Sequence, residues 1–172
     1  MDVDRFVHRM SNASEALNAL VSELNPTDAR WRPEGGGWSI LEIVNHMADE
    51  EVDDFRMRVR LTLEDPTQSW PGIDPEGWAR DRDYNDRELA ESILRFDAAR
   101  AESLAWLESL IDPDWSKAYE HPKLGMIRAG DLLAAWCAHD ALHIRQIAKR
   151  LFQLTQRDAG DYSTGYAGVW SA

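Results

Sequence analysis

The segment AHDALHIRQI, Ala138–Ile147, places two histidines four residues apart in a run that otherwise has the pattern of a buried helix. At the helical period, one stripe contains Leu132, Trp136, His139, His143 and Ile147. Side chains four residues apart share a face, so both imidazoles point inward and can converge on one point. In this geometry, two histidines of a single helix can bind the same metal ion. Two core histidines bonded to carbonyls or carboxylates would give the same pattern.

Four segments of the chain have helical periodicity, and none shows the strict alternation of a half-buried strand over any length. The predicted helices cover about residues 4–24, 38–63, 86–111 and 130–154. The first ends at the proline- and glycine-rich run NPTDARWRPEGGG, and the second begins with Ser39 and Glu42, which have the spacing of a capping box. The expected fold is all-α, a four-helix bundle.

Two connecting regions have a composition unlike that of the helices. Residues 64–85 hold three prolines and are expected to form a long crossover loop between the second and third helices, with room for one short turn. Residues 155–172 have the glycine and serine content of an irregular C-terminal tail, either free or docked on the bundle. We expect one domain, residues 1–154, followed by this tail.

Charge and cysteine content exclude several partners and sites. With 31 acidic and 19 basic residues the net charge is −12, which argues against nucleic acid or an anionic membrane as the main partner. Cys137 is the only cysteine, so any metal must be held by nitrogen and oxygen. The N-terminus is charged where a signal peptide is apolar, and no apolar run approaches the roughly 20 residues of a membrane span. We expect a cytoplasmic protein with a small-molecule substrate.

The second predicted helix supplies a third histidine. In WSILEIVNHMADEEVDDF, residues 38–55, His46 lies at the flank of the apolar stripe, a position suited to a pocket wall. The same helix carries Asp49 and Glu50, which are candidates for acid–base catalysis, for metal binding or for orienting a ligand. The alternative is a solvated acidic face, since five carboxylates cluster between residues 49 and 54.

These two motifs resemble those of a known family. WSILEIVNHMADEE, residues 38–51, resembles the second-helix signature of the DinB-like (YfiT-like) bundles, and HDALHIRQI, residues 139–147, resembles their fourth-helix signature. The resemblance implies a divalent metal, nickel or zinc, bound by His46, His139 and His143, with water or substrate completing its coordination. It also implies a homodimer. Some members of the family transfer a low-molecular-weight thiol such as bacillithiol or mycothiol, and others are provisionally described as metal-dependent hydrolases.

Three neutral imidazoles leave a metal its full charge and an open position, which suits either hydrolysis or the binding of a thiolate. The alternative is a non-catalytic dimeric bundle, in which a fourth protein ligand such as Glu50 closes a structural metal site, the pocket only binds a ligand, or the site is empty. Asp140 and Gln146 are candidates for orienting the histidines, and a bridge to another helix is an equal alternative for Asp140. His8 and His121 are expected to lie outside the site. Basic candidates for the pocket rim are Arg80, Arg82, Lys123 and Arg128.

Overall fold

The computed structural model describes residues 1–170 and packs four long helical segments side by side. The segments are α1 (Val3–Val21), α3 (Ile40–Glu50) with its continuation, α6 (Leu89–Ser109) and α7 (Ala129–Asp158). The continuation of α3 is a π-helical stretch, Glu51–Arg56, followed by α4 (Met57–Glu64). The predicted four-helix bundle is confirmed. Helix α7 continues past the predicted end at Leu154 to Asp158, so the first residues assigned to the tail are helical.

The connections contain more structure than the sequence predicts. A short helix α2 (Pro26–Arg30) follows α1, and the crossover loop contains α5 (Pro75–Asp81) and a 3₁₀ turn, Tyr84–Asp86. Helix α5 forms because a proline occupies its first turn and the Asp74 side chain accepts a hydrogen bond from the backbone N–H of Gly77 at 3.0 Å. The long crossover loop is thereby partly ordered into a helix that lies against α3.

A small antiparallel hairpin precedes α7. The prediction of an all-α fold did not include it. Strand β1 (Ala118–His121) pairs with β2 (Gly125–Arg128), in a register that sets Ala118 opposite Arg128. Strands of four residues are too short for an alternating pattern to stand out from a loop. The hairpin packs through Tyr119, whose ring stacks on Trp70 of the crossover loop with centroids 4.2 Å apart.

The capping box at the start of α3 is confirmed, and it fixes where this helix enters the core. The backbone N–H of Glu42 donates to Ser39 Oγ at 3.1 Å, and the Ser39 N–H donates to Glu42 Oε2 at 2.8 Å. All eleven residues of α3 are buried. The core has two hydrophobic clusters, one containing Phe96 and Ile147 and the other Trp136. Between Trp136 and Ile147, α7 carries its two histidines.

The C-terminal segment after α7 is irregular apart from a 3₁₀ turn, Gly165–Ala167. The ring of Trp170 lies 5.7 Å from that of Phe152 on α7, centroid to centroid. The last two residues of the predicted tail, 171 and 172, lie outside the described residues. The division into a bundle domain and a tail stays a prediction. Within residues 1–170, no helix is long and apolar enough to cross a membrane.

Candidate metal centre

Helices α3 and α7 bring three histidines together, although the residues are 93 and 97 positions apart in the chain. Nε2 of His46 lies 3.3 Å from Nε2 of His139 and 3.1 Å from Nε2 of His143. The two α7 nitrogens are 2.9 Å apart. His46 is buried, and the other two are half-buried. In the described part of the chain, this histidine triad is the group of potential ligands that could hold a metal ion.

The spacing of the triad fits a tetrahedral ion. Imidazole nitrogens bound to zinc at about 2.0–2.1 Å with tetrahedral angles lie about 3.3–3.4 Å from one another. The three observed separations, 2.9–3.3 Å, are at or slightly below this value. Three nitrogens on one side would leave a fourth position for another ligand. Nitrogen donors of this kind suit zinc, nickel, copper and iron.

Neighbouring side chains hold the rings of the triad in place. Nδ1 of His143 donates to Oε1 of Gln146 at 2.8 Å, which leaves the Nε2 lone pair free to bind a metal. The Trp38 ring lies 4.7 Å from that of His46, centroid to centroid, and the Phe55 ring lies 4.9 Å from that of His139. Phe55 belongs to the π-helical stretch, an irregularity frequently found at functional sites.

The environment keeps the triad uncharged. Burial, and then the neighbouring His143, lower the pKa of His46 to about 3. Burial also lowers the pKa of His139 and of His143, although the hydrogen bond from His143 to Gln146 opposes the change in His143. Neutral imidazoles are the form that binds metal ions, so no proton has to leave before an ion can bind near pH 7.

Glu50, a predicted catalytic residue, lies on the far side of the His46 ring. Its Oε1 is 3.9 Å from Nδ1 of His46, and neither atom has a hydrogen-bond partner among the described residues. Burial, and then the neighbouring carboxyl of Asp54, raise the pKa of Glu50 well above its usual range. Glu50 therefore lies beside Nδ1 of His46, whereas Nε2 of this ring faces the other two histidines. Its role in catalysis stays a prediction.

Asp49, the other predicted catalytic residue, is engaged by three donors. Its carboxylate accepts hydrogen bonds from the Tyr84 hydroxyl, from Arg95 and, at 2.5 Å, from Arg82. Burial alone would raise the pKa of Asp49, but these donors outweigh burial and lower it. The carboxylate thereby ties the crossover loop to α3 and α6. A catalytic role for Asp49 stays a prediction.

A buried ion network beneath the triad was missed by the sequence analysis. The Arg100 guanidinium donates to both oxygens of Glu51, at 2.8 and 2.9 Å, and to both oxygens of Asp140, at 2.6 and 2.8 Å. The Trp136 indole also donates to Glu51 at 2.8 Å. Asp140 therefore bridges to another helix, one of its two predicted roles, and it is adjacent to His139 in α7. Only the unusual arginine in the apolar stripe of α6 could have indicated this network from sequence.

A cavity of about 820 Å³ opens beside the triad. His46, His143 and Gln146 form its inner wall, and Trp38 lies at its edge. Residues of α5 and of the loop before α3 also line this cavity. Its lining includes four charged side chains, Arg32, Glu42, Glu76 and Arg80. The volume lies within the range of small-molecule sites, about 300–1,000 Å³.

Of the four basic residues predicted at the rim, Arg80 lines this cavity. Arg82 binds Asp49 and Asp53, Arg128 pairs with Asp131 at 2.7 Å, and Lys123 lies in the hairpin turn. His121 also belongs to this turn, where its Nδ1 accepts two backbone hydrogen bonds, and His8 is exposed on α1. Cys137 lines a separate groove between α1 and α7.

The fold and the triad together define a class: a four-helix bundle with a three-histidine site able to bind a divalent metal. Residues 9–147 of the chain match the DinB superfamily. The chain belongs to the DinB superfamily, as the motifs in the second and fourth helices predict.

Relatives of the chain support this assignment. A protein of Bacillus licheniformis provisionally named a metal-dependent hydrolase is 26% identical over 147 residues, which are 85% of this chain and 83% of the relative. The solved structure of YfiT from Bacillus subtilis, described as a probable metal-dependent hydrolase with an unusual four-helix bundle topology, superposes with a TM-score of 0.79 at 19% identity. The superposition covers 89% of this chain and 87% of YfiT. At that identity the likeness to YfiT establishes the fold alone.

Proposed function

We propose that this protein is a metal-dependent enzyme of hydrolytic type, whose ion is held by His46, His139 and His143. The observation that carries the proposal is the convergence of three uncharged imidazoles, with Nε2 atoms 2.9–3.3 Å apart, two of which, His46 and His143, line a cavity large enough for a small molecule. The provisional names of its relatives support a hydrolase. We expect zinc or nickel, because imidazole nitrogen suits both.

The residues around the triad have distinct tasks in this proposal. A divalent ion at the three nitrogens would act as a Lewis acid and lower the pKa of water to about 7. Gln146 orients His143 through its Nδ1–H. Trp38 and Phe55 cover the rings of His46 and His139 and limit the access of water to the triad from these sides. The cavity leaves one side open for the substrate.

A catalytic site keeps one metal position open, whereas a structural site fills all four with protein ligands. Within residues 1–170, no fourth histidine, cysteine or carboxylate joins the triad, and Glu50 faces the other nitrogen of His46. This arrangement supports an enzyme over a bundle whose metal is purely structural. We propose acid–base roles for Glu50 and for Asp49, whose carboxylate accepts hydrogen bonds from three donors.

Transfer of a low-molecular-weight thiol is the second candidate reaction. Its support is the metal position that the triad leaves open, and because Cys137 lines the separate groove between α1 and α7, a thiol at this position would come from a ligand. A metal with an open position can hold such a thiol as the thiolate. A homodimer in the cytoplasm stays our expectation for the assembly and location.

The first test is the metal content of protein purified without a histidine tag. Elemental mass spectrometry should find close to one zinc or nickel ion per chain, and His139→Ala should lose most of it. His8→Ala is the matched control, because this histidine is exposed on α1, and it should retain the metal. Equal metal content in the wild type and in His139→Ala would refute the site.

Activity is tested on the metal-loaded protein. An activated ester should be hydrolysed faster by the loaded wild type than by His139→Ala, and the difference should disappear after treatment with a chelator. If chelation removes the metal and leaves the rate unchanged, hydrolysis at the triad is wrong. Transfer of a thiol to an electrophilic acceptor, followed in the same variants, distinguishes the second candidate reaction.

A further inference from the structure

The charges that line the cavity form two pairs with different arrangements. Arg32 binds the Glu42 carboxylate through two hydrogen bonds, of 2.8 and 2.5 Å, and Glu42 also accepts the N–H of Ser39. This first pair is neutralised within the protein. Glu76 and Arg80 are the second pair, one turn apart on α5, and both are exposed on the cavity wall.

Glu76 and Arg80 do not form an ion pair with each other. A glutamate four residues before an arginine has the favourable orientation for a pair along a helix. Nevertheless, among the residues the structure describes, neither Glu76 nor Arg80 forms an ion pair, with the other or with a third residue. A carboxylate and a guanidinium are thus both presented to the cavity, each with its hydrogen-bonding capacity available.

The helix that carries this pair is held firmly in place. Arg82, at the end of α5, lies 4.3 Å from the Trp78 ring and binds Asp49 and Asp53, at 2.5 and 2.8 Å. Ala79, in the same helix, is buried. Since Asp49 belongs to α3, three residues after His46, its carboxylate fixes the distance between the wall of the cavity and the triad.

We propose that the cavity binds amphoteric small molecules, compounds of amino-acid or short-peptide type, with a ligand carboxylate on Arg80, a ligand ammonium on Glu76 and the reacting group at the triad. Arginine binds carboxylates through two parallel hydrogen bonds, so Arg80 would also orient the ligand. A net charge of −12 repels simple anions, whereas a ligand that carries both charges avoids this cost. This inference rests on the proposed metal centre and names its substrate class.

The test uses cobalt-loaded protein and thiol probes, because a thiolate that binds cobalt produces a charge-transfer absorption. The tripeptide glutathione carries an ammonium and carboxylates. Its N-acetyl derivative lacks the ammonium, its diester lacks the carboxylates, and N-acetylcysteamine lacks both. The dissociation constant of each probe is measured by titration, and no turnover is needed.

The variants separate the two charges. Arg80→Gln should weaken the binding of glutathione about five-fold, the upper end for a partly exposed ion pair. It should leave the dissociation constant of the diester unchanged. Glu76→Gln should weaken glutathione by a similar factor and leave the N-acetyl derivative unchanged. Arg60→Gln and Glu64→Gln are matched controls, since these residues form an exposed pair on α4, at 3.5 Å, outside the cavity. Neither control should change any constant.

The outcomes distinguish this inference from the metal centre. If all four probes bind equally well, or if Arg80→Gln weakens every probe by the same factor, the amphoteric site is wrong while the metal centre stands. If the protein retains no cobalt, the metal centre is wrong. In that case the same titrations, measured by calorimetry, decide whether Arg80 and Glu76 bind the peptide. Equal dissociation constants in the wild type and in the variants would overturn the inference.

Discussion

Replacement of Arg100 by methionine should be the most damaging single change to the interior of this protein. The residue is 2% exposed, and its side chain makes five hydrogen bonds: two to Glu51, two to Asp140 and one, of 3.0 Å, to the carbonyl of Met10. Methionine fills a similar volume but leaves two buried carboxylates without their cation. Glu51 keeps the Trp136 indole as a donor, whereas Asp140 loses the donor of both its oxygens.

The expected loss is about 3–5 kcal/mol in the free energy of unfolding near pH 7.5, the cost of removing one partner from a buried ion pair. The loss should also depend on pH. Burial already raises the pKa of the Glu51 carboxyl, and without the opposing guanidinium this pKa rises further above its unfolded value, so the folded variant binds more protons than the unfolded chain. Its stability therefore falls as the pH rises, and the difference from the wild type narrows as the pH falls.

Urea unfolding of the metal-free proteins, followed by circular dichroism at several pH values, measures this difference. Arg56→Met is the matched control, because its 3.1 Å pair with Glu102 has a partner that is 71% exposed, and it should cost less than about 1 kcal/mol. A loss below about 1 kcal/mol for Arg100→Met, or a loss that is the same at pH 5 and pH 8, would refute the reasoning.

Removal of the hydrogen bond behind the triad by Gln146→Leu should weaken metal binding about 10–100-fold, as competition with a chromophoric chelator would detect; an unchanged affinity would contradict an orienting role. For the metal-free protein, the pKa of about 3 for His46 means that the unfolded chain takes up a proton below about pH 6.5 that the folded chain does not. The full contribution of the neutral histidine to the free energy of unfolding is present above that pH. The free energy of unfolding should fall as the pH drops from about 6.5 towards 3, by about 1.4 kcal/mol per pH unit for each such histidine. A flat profile would be inconsistent with buried neutral rings. Gly37→Ala should cost about 1–2 kcal/mol, because φ is +98° and a Cβ would lie 2.6 Å from the Arg150 guanidinium. Gly35→Ala, which meets open space, should cost much less in the same unfolding assay.

Much of the fold could be predicted because its information is local. The helical periods, the Ser39–Glu42 capping box and the proline- and glycine-rich connection are properties of short segments, and the helices lie close to where these patterns place them. The hairpin at residues 118–128 could not be predicted in this way. Its strands have four residues each, and their pairing depends on packing against Trp70, which lies in a loop about fifty residues earlier.

The roles of individual site residues were less predictable than their positions. The i, i+4 spacing of His139 and His143 indicates a shared face, and the family motif adds His46. Nothing local distinguishes Asp49, which binds three donors from the crossover loop and α6, from Glu50, which lies behind His46. Both are acidic residues of the same helix, and only their neighbours in space differ.

The sequence by itself determined the helices, their amphipathic faces and the shared face of His139 and His143, because each of these depends on spacing within one segment. Only the tertiary structure decided which residues meet. Arg100 contacts Glu51 and Asp140 across 49 and 40 positions of the chain, and Arg80 reaches the cavity because α5 folds back onto α3. Contacts of this kind depend on how the helices pack. The hydrophobic period of a single helix does not indicate which residues of other helices pack against it.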